Sequence, residues 1–133
     1  MTSKPTNLTK NILAPVSLGE LIDKITILEI KSKHMTGIKQ KHVDKELQLL
    51  KCILEDKNLN INIDLVNDLK KINNSLWVVE DQIRLKENKH EFDQEFIKLA
   101  RSVYKKNDIR ASIKKEINQK YNSELIEEKS YNE

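Results

Sequence analysis

Two glycines, two prolines and one cysteine are all that 133 residues contain of these types, and each scarcity excludes something. Both prolines, Pro5 and Pro15, precede Ser17. Beyond that point no missing amide hydrogen interrupts a helix, so long helices follow. Two glycines cannot build a glycine-rich phosphate loop, and no H-E-x-x-H, G-x-S-x-G or C-x-x-C element occurs. The lone Cys52 excludes an internal disulfide and lacks the companions of a zinc site. His34, His42 and His90 show no spacing suited to metal or nucleophile chemistry, so no metal set and no cofactor is assigned. Missing too is any apolar run long enough for a signal peptide or membrane span. The longest candidate, 25–30, is broken by Thr26 and Glu29. A soluble protein of the reducing cytoplasm, away from membranes, is the expectation.

Charge of one sign is lacking as well. Lys and Arg number 24 against 21 Asp and Glu, a net charge of +3. That balance gives no strong field toward lipid or nucleic acid and argues against nucleic-acid binding. Arginine is scarce: Arg84, Arg101 and Arg110 are the only three. Its planar fork is the group used where anion geometry matters, which makes these three informative.

What the chain does have is helical periodicity. Residues 1–14 show no sustained period and read as a flexible arm. Ser17-Leu18-Gly19-Glu20 has the form of a capping box, so a helix should start there, with Leu18, Leu21, Ile22, Ile25 and Leu28 on one face and Thr36-Gly37 past its end. A second helix over about 38–57 carries Val43, Leu47, Leu50, Ile53 and Leu54, and the short link makes an antiparallel hairpin. After a loop at 58–62, a third over about 64–88 presents Leu65, Leu69, Ile72, Leu76, Val79 and Ile83. Phe92, Phe96, Leu99, Val103, Ile113 and Ile117 continue the pattern to Tyr121, either as one helix or as two divided at Asn107-Asp108. The expected fold is all-α, an antiparallel bundle of about four long helices over 15–122 with a short acidic tail at 123–133.

Interruptions of the apolar stripes supply the candidate site. Glu29 lies in line with Leu18, Leu21 and Ile25. Glu80 and Glu87 lie near the line of Leu69, Leu76 and Ile83, with Trp77 and Arg84 on the adjoining edge. Arg110 falls inside the stripe of the last helix, flanked by Asn107 and Lys114. An interior guanidinium needs a carboxylate, so Arg110 is expected to pair with Glu80, Glu87 or Glu29. A semi-buried pocket of Glu29, Trp77, Glu80, Arg84, Glu87, Arg101, Tyr104, Asn107, Arg110 and Lys114 would hold an anionic small molecule, or a divalent cation between its carboxylates. The preferred alternative is a structural ion-pair network at the ends of the bundle. Val78 and Leu85 on the third helix, with Ile27 and Ile30 on the first, give these helices two apolar sides. Either they occupy a central position in the monomer or they meet a second copy, and an isologous homodimer is the preferred partner.

Long literal strings carry a family resemblance: Pro15 through Lys31, Leu76-Trp77 through Arg84, Phe96 through Tyr104, Asn107 through Lys114, and Glu127-Glu128-Lys129-Ser130-Tyr131. The chain resembles a family of small, functionally uncharacterised proteins from bacteria and marine phages. The resemblance implies one domain and a tail that belongs to the working unit, folded over the Arg110 region, but it supplies no activity. Two readings therefore stand. The first is a non-catalytic module that self-associates or docks on a protein partner. The alternative is a binder of an anionic small molecule, or a small enzyme, metal-assisted or not, with a Glu/Arg site inside the bundle.

Overall fold

The computed structural model describes residues 11–130; positions 1–10 of the expected arm and 131–133 of the expected tail lie outside them. Among the described residues there are four helices and no strand: α1 Leu18–His34, α2 Gly37–Asp56, α3 Ile63–Asn88 and α4 Gln94–Lys120. The chain is an all-α bundle, as the periodicity predicts. Asn107 and Asp108 sit within α4, which is one unbroken helix.

A sequence nearly without glycine must end its helices by other means. Gly37, the first residue of α2, takes a φ of 63°, but Asn58, His90 and Asn122, just past α2, α3 and α4, have φ of 55°, 55° and 54°. Asparagine and histidine tolerate the left-handed region better than most side chains, so they terminate these helices where glycine usually would. The starts of α3 and α4 use side-chain oxygens: Asn62 accepts from the amides of Asp64 and Leu65, and Asp93 accepts from that of Phe96.

Helix α1 is central. It packs on α2, α3 and α4, while α3 and α4 also pack along each other and α2 closely approaches only α1. Accordingly α1 buries Leu21, Ile22, Ile25, Leu28 and Ile30 over most of its circumference, whereas α2 has no fully buried residue. The second apolar side of α1 is therefore explained by its place within the monomer. The core cluster of buried residues is Ile22, Leu65, Leu69 and Ile117, with Leu18, Leu54, Ile113 and Tyr121 among those packed against it. Phe92 departs from its expected place in the stripe. It precedes α4 in the connecting loop, is exposed, and rests edge-on against Phe96 at 5.2 Å.

Unequal helix lengths shape the molecule. At a rise of about 1.5 Å per residue, the 26 and 27 residues of α3 and α4 span about 40 Å, and the 17 of α1 only about 25 Å. The α3–α4 hairpin thus outruns α1 as an arm that α1 does not cover.

Candidate functional site

The C-terminal end of α4 caps the N-terminal end of α1. A helix begins with amide hydrogens that have no partner in their own helix. Here the Leu18 amide donates to Ser123 Oγ at 3.2 Å, that of Gly19 to Asn118 Oδ1 at 2.7 Å, and that of Glu20 to Ser17 Oγ at 3.1 Å. Ser17 caps as expected, but the Glu20 carboxylate reaches across to α4 instead of back to its own helix. Gly19 is what lets the helices approach. A Cβ there would stand 2.5 Å from the Lys114 carbonyl oxygen and 3.0 Å from Asn118 Oδ1.

One turn further along α1 lies a buried polar cluster. Asp23 is 1% exposed. Its Oδ1 accepts from Arg110 Nε at 2.9 Å and from Asn73 Nδ2 at 2.9 Å, and its Oδ2 accepts from Arg110 NH2, a two-pronged pairing. Asn73 Nδ2 also donates to Thr26 Oγ1 at 2.9 Å, and Thr26 Oγ1 donates to the Asp23 carbonyl at 2.7 Å. Arg110 NH1 donates to Asn107 Oδ1 at 3.3 Å. Three helices are joined through one carboxylate. Burying it is tolerable only because its oxygens are bonded and a guanidinium balances its charge. The Asp23 hydrogen bond, opposed by partial burial, holds the Arg110 pKa above its ordinary value.

Beside Arg110, Lys114 is 92% withdrawn from solvent, its side chain being 8% exposed, and its ammonium donates to Glu20 Oε2 and to Glu127 Oε1, both at 2.7 Å. Burial alone would lower the Lys114 pKa, but the bonds from Glu127 and Glu20 outweigh it and the net shift is upward. The bond from Lys114 in turn draws the Glu127 carboxyl below its ordinary value. Asn107, Arg110, Ala111, Lys114, Glu127 and Lys129 line a small open cavity of about 40 Å³ here. This is room for a carboxylate-sized group or a few waters, which need about 10–15 Å³ each. The segment after α4 thus lies against the Arg110–Lys114 face.

Of the ten candidate residues, Asn107, Arg110 and Lys114 come together. The others do not join them. Glu29 binds Lys51 and Lys70, each at 3.4 Å, on another side of α1. Trp77 stacks on His34 at 4.7 Å, and its buried Nε1 has no partner among the described residues. Glu80, Arg84 and Glu87 are exposed, as are Arg101 and Tyr104. The expected pairing of Arg110 with Glu80, Glu87 or Glu29 is therefore corrected: its partner is Asp23. The reason is length. Trp77 meets the last residue of α1, so Glu80, Arg84 and Glu87 continue the face that α1 covers lower down, past the point where α1 stops. Nor do Glu29, Glu80 and Glu87 share a place where they could grip one cation. Among the described residues no group of three or more His, Cys, Asp or Glu side chains converges suitably.

Several residues of the cluster escape sequence reasoning: Glu20, Asp23, Thr26, Asn73, Asn118 and Glu127. A signal existed for some of them. Gly19, Asp23 and Thr26 follow one another at helical spacing between Leu18 and Ile30, and short side chains inside an apolar face mark a close helix approach. Glu127 lies outside any helix and carries no spacing signal; only the family resemblance pointed to a tail over the Arg110 region.

A family model described as a family of unknown function, DUF6165, matches residues 13–133, and the chain belongs to that family. No curated protein and no solved structure matches it. Among the described residues no helix is long and apolar enough to cross a membrane.

Proposed function

We propose that this DUF6165 chain is a non-catalytic interaction module of the cytoplasm that self-associates through the outer faces of its α3–α4 arm. One observation carries the reading. Val78, Asp81 and Leu85 follow one another on the outer face of α3, and Ile97, Arg101 and Tyr104 do so on α4, all six exposed. Each triplet has apolar residues seven apart, which is two helical turns, around one charge, acidic on α3 and basic on α4. Asp81 and Arg101 form no ion pair among the described residues, so both charges are available to a second copy. Scattered exposed apolar residues are ordinary, but matched rows of opposite charge on an arm that lacks a third helix are complementary to each other. Leu85 also borders a groove of about 240 Å³ with Leu99 and Gln82, where an incoming side chain could seat. Made reciprocally, the contact closes a two-fold dimer; made in one direction, it yields larger assemblies.

The test is the mass in solution by sedimentation across a wide concentration range. The wild-type chain should rise reversibly above its 15.6 kDa monomer. Asp81→Arg should weaken assembly by about tenfold or more, Tyr104→Lys likewise, and Asp81→Arg with Arg101→Asp should recover it, since like charges repel and swapped charges attract again. A monomer at near-millimolar concentration would end the proposal. So would an assembly indifferent to both charge reversals.

A further inference from the structure

We infer that the Asn107–Arg110–Lys114 face is a binding site for a carboxylate, and that Glu127 of the chain's own C-terminal segment, paired there with Lys114, is its tethered occupant. This site is independent of the arm, and neither reading depends on the other. Three observations point to it. First, the cavity is built from a nine-tenths buried ammonium and a guanidinium held in place by Asp23, a rigid donor set of the kind that selects an oxyanion. Lys114 has three N–H donors, and only one is directed to its body partner Glu20; Glu127 takes another.

Second, the occupant lies on a segment outside the helices. The last backbone bond between this segment and the helices is that of the Ser123 amide to the Asn118 carbonyl at 2.8 Å. Beyond it, Leu125 and Ile126 remain exposed, and Glu128 meets Lys115 at 3.4 Å with both side chains largely in solvent. An exposed pair of that kind contributes little. Residues 124–130 therefore form a strap over the Arg110–Lys114 face, in which the Glu127 carboxylate meets the one deeply buried ammonium.

Third, the charge count selects the ligand class. With the strap that carries both Glu127 and Lys129 displaced, the two cations Arg110 and Lys114 face the two anions Asp23 and Glu20. A neutral set accepts a single negative charge more readily than two, and the place vacated is that of one carboxylate. A carboxylate satisfies both conditions, whereas a phosphate dianion exceeds the first. An incoming carboxylate would displace the strap, so ligand binding and release of residues 124–130 become one event. Because the strap competes at an effective concentration in the millimolar range, the intact chain responds only to a ligand that outbinds Glu127.

The experiment follows backbone amides of Asn107, Arg110, Ala111 and Lys114 by NMR in the full chain, titrated with sodium acetate or sodium phosphate at matched ionic strength. In Glu127→Gln the acetate midpoint should fall at least about tenfold below wild type. Glu128→Gln, an equal charge change one residue along, should leave it at the wild-type value. Phosphate should act at higher concentration than acetate in Glu127→Gln. An acetate midpoint unmoved by Glu127→Gln, or moved equally by Glu128→Gln, would overturn the site. A phosphate midpoint below that of acetate would overturn the ligand class. Glu127 is half exposed and lies outside the helices, so its replacement leaves the fold in place for the comparison.

Discussion

Arg110 and Arg84 are the same side chain on neighbouring helices, yet they live in opposite surroundings. Where α1 lies between α3 and α4, Arg110 is 28% exposed and grips a carboxylate that is 1% exposed. Further along, α3 and α4 run on without α1, and Arg84 stands in solvent with Glu80 and Glu87 nearby in sequence. In the first region, the buried carboxylate and ammonium must be answered by partners because little water reaches them. In the second, water answers it. A polar residue in an apolar stripe thus has two meanings. It is either a buried hub or a sign that the covering helix has ended.

The comparison is broken most severely by Asp23→Ala, which strips Arg110, Asn73 and Thr26 of a shared partner. Removing one member of a buried pair costs about 3–5 kcal/mol, and the lower end applies because Arg110 keeps a hydrated edge. The matched change Glu80→Ala should stay within about 0.5 kcal/mol. Urea unfolding of both variants checks the contrast, and equal losses would contradict it. Next in size is Gly19→Ala. Its methyl group must push against the Lys114 carbonyl, so a loss of about 2–3 kcal/mol is expected by the same measurement, as for an overpacked core.

A smaller effect of opposite sign sharpens the view of the arm. His90 holds a φ of 55° at its tip, and glycine adopts that conformation without a Cβ penalty. His90→Gly should raise stability by up to about 1 kcal/mol, visible as a higher melting temperature. The least is expected from pH at the strap. The Glu127 carboxyl is held below its ordinary value of 4.5. The stability it contributes is complete above that value and is lost as pH falls through the lower folded-state value. For the raised Lys114 the loss comes only at the alkaline end, as pH climbs through a value above 10.5. Backbone mobility of 124–130, read by NMR relaxation, should therefore rise on acidification while α1 stays rigid. Unchanged strap mobility through the acid range would contradict the Glu127 anchor.

Helix positions were legible because periodicity and capping are local properties. The start at Ser17 and the stripes of Leu65 to Val79 needed no tertiary information. Some charged positions in the stripes were legible too, since Arg110 and Lys114 lie where a helix should be apolar. Their partners were not. Asp23 and Arg110 are 87 residues apart, and Lys114 and Glu20 are 94 apart. No spacing rule connects residues on different helices.

Local sequence by itself determined that this chain would be helical, where most of its helices begin, and which faces would be greasy, because those follow from a repeat near 3.6 residues and from side chains within a turn of one another. Only the tertiary structure decided which charges were buried. That depended on how far a shorter α1 reaches along α3 and α4, and on where the segment after Lys120 comes to rest, and both are set by packing between parts of the chain remote in sequence.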